Sequence, residues 1–289
     1  MKKKLLIIIG LFAMMPFSAQ ALTGKVELGC GSYALRPGQT TTCTIKGTSD
    51  AVITSVALDI NVGSGLTLGE VTAPDVWQGD GNNGKVTLYA AITDNIKGTF
   101  DIVTFKVSAP QTLTAGTTVP ITLNNVSFGD SSFVGTDIDS VTVSIEKYQI
   151  KDITLDENYK LGKYIKCGTK LSEVKSKFIV KNGVKITDAN NNEVQDENSV
   201  VKTGQKISYQ IAQKSYTYTL VVKGDVTGDG KIDINDVSKT YNASRGDITM
   251  QRYEHEAGNV AGQQEKDVDI NDVSKLYNFF RGEIESLEG

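Results

Sequence analysis

The sequence predicts a mainly β, multidomain chain: an antiparallel β-sandwich of the jelly-roll kind, a small α+β module and a C-terminal α-helical module. Three observations lead to this fold class. Apolar and polar residues alternate from about residue 25 to 147, a helical pattern is followed by strands between 148 and 222, and one phrase occurs twice near the end. At 289 residues the chain has room for two or three compact domains.

Residues 1–21 have the features of a secretory signal peptide. Three lysines precede the apolar run Leu5–Phe17, and small residues allow cleavage after Ala21. The run is short for a membrane span, and a retained N-terminal anchor is the alternative. We therefore expect a secreted protein, associated with the cell surface only through a partner and without a membrane span after cleavage. A formal net charge of −4 and the lack of a basic patch disfavour a nucleic-acid partner.

Residues 22–147 are predicted to form the β-sandwich. Val56, Leu58 and Ile60 alternate with smaller or polar residues, as expected for a strand with one buried face. The same alternation recurs along the segment, with Gly- and Asn-rich breaks such as 79–84, and predicts eight or nine strands. Between residues 100 and 107 the apolar positions change phase, which predicts a β-bulge.

The cysteines and the single histidine limit the kinds of chemistry that this chain can perform. Cys30 and Cys43 flank a turn-rich segment, and an exported chain permits a disulfide between them; two buried thiols are the alternative. Cys167 is left over and is predicted to be free. Because His255 is the only histidine and lies in the polar connector between the repeats, zinc binding and histidine-assisted nucleophilic catalysis are disfavoured. We predict that the protein is not an enzyme.

Residues 148–222 are predicted to form the small α+β module. Thr169 is placed to cap a short helix in which Leu171, Val174 and Phe178 share one face. Strands follow this helix, and the last of them leads into the C-terminal module without a flexible linker. We therefore expect the α+β module to brace the C-terminal module.

Residues 223–289 contain the repeated phrase, as Asp233–Lys239 and again, 36 residues later, as Asp269–Lys275. Oxygen-bearing groups before and within the first copy have the spacing of an EF-hand calcium loop, followed by a helix to about residue 245. Gly230 supplies the tight turn of this loop. The predicted ligands of the first loop are Asp225, Thr227, Asp229, the carbonyl of Lys231, Asp233 and Asp236.

The second loop departs from this pattern. Its first half, residues 259–266, is two residues too long and lacks glycine at the sixth place. Either Asn259 opens a bulged loop, or Glu265 takes an early ligand position. A metal-free loop held by its helix is the alternative to calcium binding. The candidate ligands of the second loop are Asn259, Glu265, Asp267, Asp269 and Asp272.

The stretch Gly224–Lys231, followed by the duplicated helix, resembles the dockerin, a small module by which secreted bacterial proteins bind cohesin domains. The resemblance covers about residues 223–285 and implies Ca²⁺ as the cofactor and a cohesin-domain protein as the partner. It places partner-binding residues at the outward-facing tenth and eleventh loop positions and about one and a half helical turns later. These residues are Ile234, Asn235, Tyr241, Asn242, Ile270, Asn271, Tyr277 and Asn278.

Because the two copies match, two binding orientations related by a half-turn are expected. For Tyr241 and Tyr277, burial between the helices is the alternative. The spacing of apolar residues predicts four further side chains in the helical core: Val237, Val273, Leu276 and Phe280.

The other two domains carry resemblances as well. Residues 22–147 are similar to a cohesin-type sandwich in the segments Pro37–Gln39, Val56–Ile60, Leu66–Leu68, Gly84–Tyr89 and Asp101–Ser108. Residues 148–222 resemble the small modules that precede dockerins, through Val200–Ile207 and Tyr216–Leu220. These resemblances imply an adaptor of a cellulosome-like complex, with a dockerin or a polysaccharide bound to the sandwich.

Two alternatives compete with a non-catalytic adaptor. In a carbohydrate-binding cell-surface protein, Trp77 would be an exposed platform for stacking on a sugar; the competing interpretation is that this lone tryptophan belongs to the sandwich core. In a dockerin-bearing glycoside hydrolase, two carboxylates would meet in space, which the sequence does not exclude.

Overall fold

The computed structural model describes residues 22–90, 94–111, 114–130, 135–262 and 267–287, and the predicted signal peptide lies outside them. The described part of the chain is mainly β, with no helix before residue 171. None of its helices is long and apolar enough to cross a membrane.

The elements of the sandwich are β1 (Gly24–Cys30), β2 (Ala34–Leu35), β3 (Thr40–Ile53), β4 (Ser55–Val62), β5 (Thr67–Thr72), β6 (Gln78–Asn82), β7 (Lys85–Tyr89), β8 (Ile96–Ser108), β9 (Thr118–Gly129), β10 (Gly135–Ile138) and β11 (Val141–Lys147). Those of the α+β module are β12 (Gln149–Ile150), β13 (Thr154–Asp156), β14 (Leu161–Ile165), α1 (Leu171–Ser176), β15 (Phe178–Ile179), β16 (Val184–Thr187), β17 (Lys206–Ile211) and β18 (Lys214–Val222). The C-terminal module contains α2 (Ile234–Ser244), α3 (Arg252–Gly258) and α4 (Ile270–Phe280).

Two sheets form the sandwich. One has the order β1-β3-β8-β5, and the other has the order β2-β11-β9-β4-β7-β6, with β10 paired to β9. Burial alternates along β3, β4 and β7, because each of these strands turns one face to the opposite sheet. The fully buried side chains of the shared core include Ile45, Leu58, Phe105, Ile121 and Phe128.

The sandwich differs from the predicted one at two edges. Strand β2 pairs in parallel with β11, so the sandwich is not wholly antiparallel. The Gly- and Asn-rich segment expected as a break forms β6, which pairs with β7 through a turn at Asn83 and Gly84. Both turn residues have positive φ, 50° and 79°, as a type I′ hairpin requires. With these short edge strands the described part of residues 22–147 contains eleven strands rather than eight or nine.

Strand β3 is held on both sides. Cys30 and Cys43 face each other across β1 and β3 and form a disulfide, with an S–S distance of 2.01 Å. On the other side Ile45 pairs with Val103 while the next residue pairs with Asp101, which leaves Ile102 as the extra residue of a bulge. This irregularity produces the change of apolar phase in the sequence.

Trp77 belongs to the sandwich core. Its side chain is 5% exposed, its Nε1 donates to the carbonyl oxygen of Asp101 at 3.0 Å, and its ring packs on Phe100 with centroids 6.0 Å apart. A ring buried in this way has no free face for a sugar, so the alternative of an exposed platform is wrong and the interpretation as a core residue is confirmed.

We expect Trp77→Ala to lower the free energy of unfolding by about 3–5 kcal/mol, because it leaves a large cavity and an unpaired carbonyl. Thermal unfolding of the full chain measures this loss. The neighbouring Val76 is 41% exposed, and Val76→Ala, expected within about 0.5 kcal/mol of wild type, is the matched control. An unfolding temperature unchanged by Trp77→Ala would contradict the burial of this ring.

The α+β module has its own core around the sheet β13-β14-β18-β17-β16, in which β14 and β18 are parallel. Helix α1 begins after Lys170 without a side-chain cap, so the predicted cap by Thr169 is wrong. Phe178 lies beyond the helix, in β15. Leu171, Val174 and Phe178 are nonetheless all buried in one cluster, because the short strand continues the face that the helix begins.

Glu146 connects the sandwich to the α+β module. Its carboxylate is buried and accepts hydrogen bonds from two backbone amides of the module, Ala212 N at 2.9 Å and Lys181 N at 3.3 Å. Ala212 and Gln213, at the turn between β17 and β18, have φ of 47° and 68°. The carboxylate therefore holds a tight turn of the second domain against the end of the first.

Glu146→Ala is expected to lower the free energy of unfolding by about 1–3 kcal/mol, since two amides lose their buried acceptor. Hydrogen exchange at Ala212 N should become faster at the same time. Ser144→Ala, at an exposed position on the same strand, is the control and should change neither quantity. Unaltered exchange at Ala212 in the Glu146 variant would show that this contact does not hold the joint.

In the C-terminal module, α2 packs against α4, and α3 packs on β18. Val237, Val273 and Leu276 lie in the core, as the spacing predicts. Phe280 does not: it is 43% exposed, and Phe279 packs against the core instead. The segment expected as a polar connector contains α3, a short helix whose largely polar sequence gives no apolar stripe.

Candidate functional site

Each repeated phrase begins a helix with a capping box. At α2, Asp233 Oδ1 accepts a hydrogen bond from Asn235 N at 2.7 Å, and Asp236 Oδ2 accepts one from Asp233 N at 2.9 Å. Asp269 and Asp272 repeat this arrangement at α4. The acids at the ninth and twelfth loop positions therefore fix the helix start at the end of each loop.

Asp236 also closes the first loop. Its Oδ1 accepts hydrogen bonds from Thr227 N at 2.8 Å and from Thr227 Oγ1 at 2.9 Å, and the side chain is fully buried. One carboxylate thus joins the third, ninth and twelfth positions of the loop.

Asp225 is fully buried at the start of the same loop. Its Oδ1 accepts hydrogen bonds from Gly228 N at 3.0 Å and Gly230 N at 3.2 Å. Gly230 has a φ of 90°, a conformation that a residue with a Cβ adopts only under strain. Because the amides of Gly228 and Gly230 converge on Oδ1 of Asp225, the loop backbone curls around the carboxylate.

Burial raises the pKa of the Asp225 carboxyl, and the negative charges of Asp236 and Asp229 raise it further, against the opposing effect of the amides. Without a cation, this group contributes stability that is present below its unfolded-state pKa and lost as the pH rises through the raised folded-state pKa. The first loop therefore concentrates negative charge that a bound cation would neutralise.

The donors of the first loop fit a hard cation in type and order. All are oxygens, at the positions from which EF-hand loops coordinate calcium. The side chains do not converge, however: among the described residues no three acidic, His or Cys side chains lie close enough to hold a metal. Asp229, for example, accepts from Lys231 N at 2.9 Å within the loop. The first loop thus has the donors and the helix cap of a calcium loop, arranged around backbone amides.

The second loop repeats the frame of the first. Ala261 N donates to Asp272 Oδ1 at 2.7 Å, as Thr227 N donates to Asp236 Oδ1. Asn259 therefore stands where Asp225 stands in the first loop, and the two extra residues fall after Ala261. Glu265, the other candidate for an early ligand position, lies outside the described residues.

Asp267 lies at the exposed edge of the second loop. Its Oδ1 is 3.4 Å from His255 Nε2, and the same nitrogen accepts a hydrogen bond from Val268 N at 3.2 Å. The histidine of α3 thus supports the loop backbone.

The predicted partner-binding residues form two matching stripes on the surface. The first stripe is Ile234, Asn235, Tyr241 and Asn242, and the second is Ile270, Asn271, Tyr277 and Asn278. Seven of these side chains are exposed and Asn278 is half-buried. The isoleucines are 47% and 59% exposed and the tyrosines 40% and 41%, so the alternative of tyrosine burial is wrong.

An arginine stacks on the tyrosine of each stripe. Arg245 lies over the ring of Tyr241 at 5.5 Å from its centroid, and Arg281 lies over the ring of Tyr277 at 5.6 Å. Each arginine follows its tyrosine by four residues, which places the pair on one face of the helix. The duplication therefore extends from the sequence to the side-chain arrangement.

Two contacts of the first loop were not predicted. Lys239 Nζ donates to the carbonyl oxygen of Val226 at 3.1 Å and pairs with Glu254 of α3 at 3.0 Å. Thr203 N, in the α+β module, donates to Asp225 Oδ2 at 2.9 Å. Lys239 belongs to the repeated phrase, and this repetition could have indicated that Lys239 has a structural role. Thr203 lies 22 residues from Asp225, and no local pattern marks it.

Comparison with known proteins finds resemblance in solved structures alone. No protein-family model matches the chain, and no curated protein matches it. The solved structures include a cohesin module of a Clostridium perfringens family 33 glycoside hydrolase, with 15% identity and a TM-score of 0.37 over 43% of this chain and 96% of that one. A cohesin–dockerin complex from Clostridium thermocellum matches with 15% identity and a TM-score of 0.33, over 43% of this chain and 99% of that one. A non-cellulosomal cohesin from Archaeoglobus fulgidus matches with 15% identity and a TM-score of 0.32, over 43% and 91%. At such low identities and TM-scores, the likeness to cohesin modules assigns neither a partner nor an activity to this chain.

Proposed function

We propose that this chain is a secreted, non-catalytic adaptor of a cellulosome-like assembly. Its C-terminal module binds Ca²⁺ and docks, as a dockerin, on a cohesin-domain protein. Its N-terminal sandwich makes the second contact, with a dockerin. The observation that carries this proposal is the pair of matching exposed stripes, each on a helix that begins at an acidic loop.

Exposed isoleucine and tyrosine at equivalent places on two helices are costly for a free monomer, because apolar surface of this kind gains free energy when a partner covers it. If these side chains only filled a core, there would be no reason for both copies to expose them in the same order. Tyrosine and arginine are also the residue types enriched at the centres of protein interfaces. The stripes therefore favour protein recognition.

A calcium ion would supply the positive charge that the acidic loops require. When bound, the cation would neutralise the negative charge of the first loop. Asp225, Thr227, Asp229, Asp233, Asp236 and the carbonyl of Lys231 would hold it. Because Asp236 also forms half of the capping box of α2, metal binding and the placement of the first stripe are coupled.

For the sandwich, the burial of Trp77 removes the exposed aromatic ring that the carbohydrate-binding alternative required. A dockerin is therefore the partner we propose for residues 22–147, with the polysaccharide as the second candidate.

The proposal is tested first with calcium and the mature chain, residues 22–289. Calorimetric titration should show binding, and circular dichroism should show a gain in helix. Titration of the same chain with the cohesin modules named above then measures docking in calcium and in excess chelator. Neither heat nor a gain in helix with calcium would overturn the proposal. Cohesin binding of equal affinity in chelator would overturn the role given to the metal.

A further inference from the structure

We infer that the α+β module completes the first calcium loop: the backbone amide of Thr203 positions the Asp225 carboxylate, so that calcium binding also tightens the joint between the two modules. This inference rests on the proposed function, since it concerns the same loop. It assigns a role to a residue outside the EF-hand pattern.

The two oxygens of the Asp225 carboxylate accept hydrogen bonds from two different modules. Asp225 Oδ1 is held by the loop's own amides, Gly228 N and Gly230 N, whereas Oδ2 is held by Thr203 N at 2.9 Å. Thr203 is 5% exposed and Asp225 is fully buried, so water does not compete for this bond. An amide bound to a carboxylate in such a site forms a charge-assisted hydrogen bond, which is stronger than one between neutral groups.

The turn that carries Thr203 is fixed independently of the loop. Gln205 N bonds to the carbonyl of Lys202 at 3.3 Å, and Gly204 has a φ of 90°, as in a type II turn with Thr203 at its second position. Thr203 Oγ1 accepts a hydrogen bond from Val222 N at 2.9 Å and donates to the carbonyl of Val222. The donor to Asp225 is therefore pre-positioned by the end of β18.

The loop lies close against this turn. A Cβ at Gly228 would be 2.7 Å from the carbonyl oxygen of Thr203, and a Cβ at Gly230 would be 2.9 Å from Val200 Cγ2. Leu161 and Val221 of the α+β module also belong to the core cluster of the C-terminal module. The first loop and the α+β module are thus packed directly against each other.

The type II turn provides a precise test. Proline is favoured at the second position of such a turn and lacks the N–H, so Thr203→Pro removes the donor while keeping the turn. Thr203→Val removes the hydroxyl and keeps the N–H, and is the matched control. We expect Thr203→Pro to bind calcium at the first loop at least about tenfold more weakly than Thr203→Val, the loss of one charge-assisted hydrogen bond. Calorimetric titration of the mature full-length variants measures the difference.

A second measurement serves if Thr203→Pro does not fold. In the wild-type chain, hydrogen exchange at Thr203 N should slow at least about tenfold when calcium is added. Equal calcium affinities of the two variants would overturn the inference, and so would an exchange rate at Thr203 N that does not change with calcium. Either result would leave the proposed calcium-binding function intact. Failure of the wild-type chain to bind calcium would overturn the proposed function and this inference together.

Discussion

Asp236→Ala is expected to abolish the calcium response of the C-terminal module and to lower its free energy of unfolding by about 3–5 kcal/mol. The carboxylate is fully buried and accepts hydrogen bonds from Thr227 N, Thr227 Oγ1 and Asp233 N. Removing it leaves these donors without their acceptor, at about 1–3 kcal/mol for each buried group, and removes half of the capping box of α2. The change therefore affects the loop and the helix that carries the first stripe.

Thermal unfolding and helix content, each measured in calcium and in chelator, check this prediction. Ser238→Ala, at an exposed position of the same helix, is the control and should keep the calcium response. Asp272→Ala makes the equivalent change in the second loop, and comparison of the two variants shows which loop responds to the metal. A calcium-induced gain in stability that survives Asp236→Ala would contradict the role given to the first loop.

The sequence was informative where a pattern is local. Alternation predicted the strands of the sandwich whose inner faces are covered, and the repeated phrase predicted the two helices of the repeats. Helix α2 nevertheless begins at Ile234, inside the loop, rather than after Asp236. The alternation failed at β6, an edge strand rich in glycine that contributes little to the core. Alternation depends on a buried face, and β6 lacks a row of apolar side chains.

Spacing along a helix also has limits. Phe280 follows Leu276 by four residues and was expected in the core, yet it lies at the end of α4 and is exposed, while Phe279 is packed. In α2 the buried face runs through Val237 and Thr240, so that Tyr241 falls at the edge of the face. The bond from Thr203 to Asp225 is set by how two domains meet, which no periodicity encodes.

The double variant Ile234→Asp/Ile270→Asp is expected to weaken binding to a cohesin partner at least about 100-fold. Each isoleucine is exposed, so its replacement should leave the fold intact. A charge at the isoleucine position of either stripe must lose its water when the partner docks, which costs more than the apolar contact contributed. Titration calorimetry with a cohesin module that binds the wild-type chain measures the loss.

The single variants Ile234→Asp and Ile270→Asp show whether both stripes can bind the partner or only one of them. If each stripe supports its own orientation with equal affinity, removing one leaves the other, and the association constant falls only about twofold, which is about 0.4 kcal/mol. If only one stripe binds the partner, the single variant in that stripe should lose the full affinity and the single variant in the other stripe should lose none. Ile248→Asp, at an isoleucine that is 40% exposed but outside both helices, is the matched control and should bind as wild type does. A double variant that binds as tightly as this control would show that the stripes are not the docking surface.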